Sequence, residues 1–193
     1  MMQMSIDELR AQVESYRSDG LSTQQIADEM SLSQTTVMWL SAKETIEEPP
    51  KDIRIGWRSI AVKGSRIEAI SSIFCDIIEE ECGDDIEVVL GISLNGIVFA
   101  QSIASMMDLE ISISRSIHDN GDGHISDVYA DVRGKKVVIV DDVISSGTTM
   151  KKTINNLKSL GADVQLCLVL ANKSTADELE GVSLRGLIRV VSV

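Results

Sequence analysis

Four apolar runs of strand length, "IEVVLGIS" (86–93), "LEISIS" (109–114), "KKVVIV" (135–140) and "DVQLCLVLA" (163–171), are separated by stretches of helical spacing around residues 96–107 and 148–160. Continuous apolar strands of this kind must be covered on both faces, so the rhythm predicts a parallel sheet with helices on either side. A further helix is predicted over 64–83, "GSRIEAISSIFCDIIEEECG", where Ile67, Ile70, Ile73, Phe74, Ile77 and Ile78 fall on one face. The closing "LRGLIRVVSV" reads as a last strand or hairpin.

At 193 residues and 44% hydrophobic content the chain can bury a core of one ordinary domain with a small module beside it. It has no apolar run long enough for a membrane span and no secretory leader at its start, so a cytoplasmic protein is expected. Cys75, Cys82 and Cys167 cannot all pair, and the first two would stand about 10 Å apart along a helix. They read as free thiols in a reducing compartment.

The module precedes "KETIEEPPK", which holds the only two prolines, Pro49 and Pro50. The expected division is therefore residues 1–45, a linker at 46–51, and a main domain at 52–193. Within "LSTQQIADEMSLSQTTVMWL", Ile26, Ala27, Met30, Leu32, Val37 and Leu40 are spaced as the core of two short helices, with Ser22 and Ser33 as their N-caps. Trp39 and Met38 read as packing residues. Ser31 takes the turn position between the helices.

In "VVIVDDVISSGTTM" (137–150) a strand over 136–140 meets Asp141 and Asp142 and then a small-residue loop entering a helix. Ser145, Ser146, Gly147, Thr148 and Thr149 can offer backbone N–H groups and hydroxyls to a phosphate, helped by the helix N-terminus. The two acids would repel that phosphate, so they suit sugar hydroxyls or a magnesium ion on the same ligand. A sugar phosphate is implied. The plainer account is that Asp142 ends a buried strand and Ser145 or Ser146 caps a helix.

The stretch resembles the phosphoribosyl-pyrophosphate (PRPP) signature of type I phosphoribosyltransferases, and the order of elements from about residue 52 onward is similar to orotate phosphoribosyltransferase. The resemblance implies ribose contacts from Asp141 and Asp142 and a 5′-phosphate wrapped by Ser145 to Thr149, with Mg2+ accompanying the ligand and touched only indirectly by the two acids. It also makes "GISLNGIVFA" a pyrophosphate loop with Ser93, Leu94, Asn95 and Gly96 at its turn, though an ordinary strand-to-helix turn fits the spacing as well. In such enzymes a mobile loop brings basic residues to the leaving pyrophosphate. The matching "RSIHDNGDGH" (115–124) has Arg115, with His118 and His124, and no lysine. Catalytic candidates are then Asp141, Asp142, Arg115 and His118, and a loss of cations implies binding without efficient turnover.

The N-terminal module is similar to helix-turn-helix DNA-binding units, which implies that Ser33, Gln34, Thr35 and Thr36 open a recognition helix. Its three basic and six acidic side chains over residues 1–43 also suit a helical dimerisation or docking module. The formal charge of −12 for the whole chain leaves phosphate contacts few. The combination resembles the archaeal orotate phosphoribosyltransferase-like transcription regulators, the GfcR family. That implies a homodimer on double-stranded DNA sensing a phosphoribosyl metabolite; an active orotate phosphoribosyltransferase with an appended regulatory module is the competing expectation.

Overall fold

A computed structural model describes residues 4–42, 50, 52–116 and 123–190. The chain divides into two compact units, Met1–Gly56 and Trp57–Val193. Residues 52–56, expected in the main domain, fall in the first unit.

The first unit has three helices, α1 (Ile6–Ser18), α2 (Thr23–Met30) and α3 (Gln34–Ser41). Each begins where a serine can replace the missing intrahelical partner. Ser5 and Ser22 form reciprocal capping boxes with Glu8 and Gln25, and the Ser33 hydroxyl accepts the Thr36 N–H. α2 ends on Ser31 in the left-handed region, φ 53°, which turns the chain sharply toward α3. Val13, Ile26, Ala27, Met30, Val37 and Leu40 form the core, ringed by Leu9, Tyr16, Leu21, Leu32 and Trp39. Met38 does not pack as expected: it is 55% exposed. Trp39 lies under the Arg10 guanidinium, 5.2 Å from ring centre to Cζ.

The second unit is built on a seven-stranded sheet. Its strands are β1 (Val88–Ile92), β2 (Glu110–Ser116), β3 (Gly123–Ile125), β4 (Lys136–Ile144), β5 (Asp163–Asn172), β6 (Glu178–Leu179) and β7 (Val182–Arg189), in the order β3-β2-β1-β4-β5-β7-β6. The five central strands are parallel, as the apolar rhythm predicts. Two short antiparallel strands, β3 and β6, finish the edges and have no apolar run to announce them. Alternate strand residues feed opposite faces. Leu90, Val137, Ile139, Cys167 and Val169 pack with Met150, Ile154 and Leu157 of α7 (Thr148–Ser159). Val89, Val138, Val140, Leu166 and Leu168 pack against α5 (Gly64–Cys82) and α6 (Gly96–Met107). A short α4 (Arg58–Ala61) precedes them. On α5, Ile73 departs from the expected face and is 48% exposed.

Two expectations near the ligand loops need correction. β4 runs through Asp141 and Asp142 to Ile144, four residues past the predicted end, because β5 continues beside it with Asp141 opposite Val169 and Ile144 opposite Asn172. The stretch 115–124 is not all loop: Arg115 and His124 face each other across β2 and β3. His118 lies outside the described residues.

The three cysteines are free, and burial pushes the Cys167 thiol up to about 12. Cys75 and Cys82 are raised as well, by desolvation first and then by Glu79 and Glu81 respectively. Iodoacetamide at pH 8 is expected to spare Cys167 in the native protein and to modify all three cysteines in denaturant, read by peptide mass spectrometry; native labelling of Cys167 contradicts its place in the sheet.

Candidate functional site

The carboxyl end of β4 gathers most of the expected ligand residues. Gly91 and Gly96 make this possible. A Cβ on Gly96 would stand 2.3 Å from the Val140 carbonyl oxygen, and one on Gly91 would stand 2.8 Å from the Ile97 Cα. Only glycine lets the first turn of α6 press onto β1 and β4. That approach carries Asn95 to Asp142, whose Oδ2 accepts the Asn95 amide at 2.9 Å.

The same oxygen accepts the indole N–H of Trp57 at 2.8 Å. Trp57 itself stacks against Phe99, centroids 5.6 Å apart, and is held from behind by the helical face of the sheet. Desolvation raises the Asp142 carboxyl above the ordinary carboxylate range, while hydrogen bonds from the Val143 backbone, Asn95 and Trp57 oppose that rise. Asp142 is therefore not a bare acid facing solvent, as its position in the motif suggests, but one with an oxygen already engaged from within. Asp141 turns its Oδ1 back to the Asp142 N–H at 2.9 Å.

Beyond Ile144 the loop reaches Gly147, φ 74°, which opens α7 without any side chain to cap it. Ser146 and Thr148 are exposed, Ser145 and Thr149 half-buried. The Ser146 and Thr148 hydroxyls lie 3.0 Å apart, and the Thr148 N–H reaches Ser146 Oγ at 3.4 Å. The arrangement presents hydroxyls and the amide end of a three-turn helix beside two carboxylates. Ser93 sits on the neighbouring turn, its N–H donated to the Ser114 carbonyl at 2.8 Å. Arg115 is not part of this gathering: its guanidinium donates to Ser126 Oγ at 3.0 Å on the β2–β3 edge. Among the described residues no group of three or more His, Cys, Asp or Glu could hold a metal ion. Asp141 and Asp142, each with an oxygen already engaged, are the residues that would hold a magnesium ion arriving on a ligand's own phosphate oxygens.

In the first unit the start of α3 is more occupied than its sequence suggests. Thr36 is buried, and its hydroxyl donates to Asp52 Oδ2 at 2.8 Å; the same oxygen takes the Ser33 N–H at 2.7 Å. Thr36 is thus a packing and capping residue, which corrects its expected place at the outer face. Ser33 is engaged as the N-cap. Gln34 donates to the Gln24 side chain. The exposed residues of α3 are Thr35 and Met38, one helical turn apart. Sequence reasoning missed Trp57, Asp52 and Met38 in these roles. The one available signal was the short "DIRIGW" between the prolines and the first helix of the second unit.

A seven-stranded sheet of this order with a small-residue loop after β4 defines a phosphoribosyl transferase domain, and the model of that family matches residues 56–190. The fold is similar to adenine phosphoribosyltransferase from Thermoanaerobacter pseudethanolicus (TM-score 0.62, 16% identity, 81% of this chain and 99% of that one). It is also similar to Mycobacterium tuberculosis orotate phosphoribosyltransferase in complex with PRPP (TM-score 0.58, 17% identity, 72% and 81%). Over its whole length the sequence is 41% identical to the transcriptional regulator GfcR of Thermoplasma acidophilum, covering 96% of each chain. The chain belongs to the GfcR family of archaeal transcriptional regulators.

The glycine contact at the heart of the site is open to test. Gly96→Ala must push α6 off β4 and is expected to cost about 1–3 kcal/mol, lowering Tm by several degrees, whereas Gly64→Ala meets nothing within 4 Å and should leave Tm unchanged. Equal melting of the two variants contradicts the close approach.

Proposed function

We propose that this protein is a DNA-binding regulator whose second unit senses a phosphoribosyl metabolite, PRPP with Mg2+ being the ligand that best suits the loop. The observation that carries the reading is the meeting of Asp141 and Asp142 with the uncapped start of α7 at one end of β4. Acids serve hydroxyls and amides serve phosphate, so one ligand must carry both. A pentose phosphate does. In this reading Ser145, Ser146, Gly147, Thr148 and Thr149 hold the 5′-phosphate, the two aspartates take the ribose hydroxyls, and Ser93, Asn95 and Gly96 border the pyrophosphate.

The first unit is read as a helix-turn-helix whose α3 enters the major groove, with Gln34, Thr35 and Met38 nearest the base edges. A homodimer would present two such helices to half-sites about one DNA turn apart. Backbone amides and neutral side chains then supply the phosphate contacts that an acidic chain lacks. Ligand binding alters operator affinity only in so far as the ligand prefers one of two arrangements of the protein.

Chemistry gives way to recognition because residues 115–124 hold one arginine and no lysine. Arg115, moreover, is hydrogen-bonded to Ser126. Stabilisation of the negative charge that develops on a leaving pyrophosphate is often the largest catalytic contribution, and this stretch holds one cation for it. Incubation with orotate, PRPP and Mg2+ is expected to leave orotate unchanged; turnover at ordinary enzymatic rates overturns the regulator reading.

Charge-assisted hydrogen bonds contribute about 1.5–3 kcal/mol each, so Asp141→Asn with Asp142→Asn should weaken PRPP binding at least about tenfold in calorimetry with an unchanged circular dichroism spectrum. Unaltered affinity would count against these acids as ribose contacts. On the DNA side, Gln34→Ala with Thr35→Ala is expected to abolish the specific shift of a duplex selected from a random pool by the parent protein. A retained shift places the recognition surface elsewhere.

A further inference from the structure

Two hydrogen-bonded anchors described above lie five residues apart in sequence. Asp52 closes on the start of α3, through the Ser33 N–H and the Thr36 hydroxyl, and Trp57 closes on Asp142, an acid of the proposed ligand site. Only Ile53, Arg54, Ile55 and Gly56 separate them, and Ile53, Arg54 and Gly56 are exposed. These four residues belong to no helix or strand.

Each anchor places a protein group where a ligand group is wanted. The N-terminus of a helix carries partial positive charge and free N–H donors, the feature by which helices grip DNA phosphates. At α3 the N–H of the N-cap Ser33 and the Thr36 hydroxyl are taken by a carboxylate from the protein itself. Asp52 thus stands as an internal anion where a phosphate would sit, and adds negative charge to the surface that must approach DNA. At the other end, the Trp57 N–H occupies an oxygen of Asp142 that a ribose hydroxyl would use. Trp57 donates there as a ligand hydroxyl would.

We propose that residues 52–57 form an autoinhibitory strap, with Asp52 masking the start of the recognition helix and Trp57 fastening the strap to the ligand site, so that a ribose diol arriving at Asp142 unfastens it. The proposal rests on the reading of the preceding subsection and adds its regulation. Its sign is definite: the ligand frees α3 and strengthens DNA binding. The energetic route is ordinary competition. Loss of the Trp57 bond gives the short segment more freedom, and a freer segment holds Asp52 on α3 less often. Coupling is also reciprocal, so whatever loosens Asp52 must favour the ligand.

The test uses the full chain and two variants. Trp57→Phe keeps the aromatic contact with Phe99 and removes the N–H; Asp52→Asn keeps the side-chain volume and removes the charge. Without ligand, both should bind the selected duplex about threefold or more tightly than the parent protein in fluorescence anisotropy, and added PRPP with Mg2+ should tighten them less than it tightens the parent. By reciprocity Asp52→Asn should also bind PRPP more tightly in calorimetry, although Asp52 belongs to the other unit and has no place in the ligand site. If the parent protein binds PRPP and DNA, and PRPP changes DNA affinity equally in all three proteins, the strap is overturned and the sensing reading stands. Weaker DNA binding by Asp52→Asn overturns it too, making Asp52 a helix cap that DNA recognition needs. If the parent protein binds no PRPP at all, both readings fall together.

Discussion

The backbone contact between Gly96 and Val140 is the constraint from which the second unit's chemistry follows. Because no Cβ intervenes, the first turn of α6 lies on the carboxyl end of β4, and Asn95 reaches Asp142. The central strands beneath are largely apolar and packed on both faces, so their ends are where polar groups can be gathered beside solvent. The candidate ligand residues lie at that rim, on the turn after β1 and from the end of β4 into α7.

Asp142 at that rim is held by donors from distant parts of the chain, Trp57 and Asn95. An aspartate in a half-buried position is costly when ionised, and its carboxyl here stands above its ordinary range through desolvation. Trp57 and Asn95 offset part of that cost. In the proposed reading the acids and the amides address different ends of one ligand, which would account for two negative charges beside a loop suited to an anion. A second carboxylate is engaged at α3, where Asp52 accepts the Ser33 N–H and the Thr36 hydroxyl.

Periodicity made the central strands, α5 and the helices α2 and α3 legible, because each buries a face wide enough to leave a pattern. β3 and β6 span three and two residues and are defined by their partners rather than by their own side chains, so no pattern exists to read. The end of β4 was misjudged because Asp141 and Asp142 are polar, yet the ladder with β5 continues through them. Ile73 shares its neighbours' apolar character and is still half exposed. The candidate ligand residues were legible as a contiguous motif. Their engagement was not: Trp57 and Asp142 are 85 positions apart, and Asp52 and Thr36 are 16 apart. Contacts of that range leave no local trace, so the sequence alone puts Thr36 on the outer face while its hydroxyl points to Asp52.

The central claim is that residues 141–149 close around a phosphoribosyl group, and amide hydrogen exchange reads this most directly. With PRPP and Mg2+ at saturating concentration, peptides covering 141–149 are expected to exchange more slowly than in the free protein, while peptides from the interior of α5 keep their rates. Unchanged exchange across 141–149 at concentrations that saturate any binding would contradict the account.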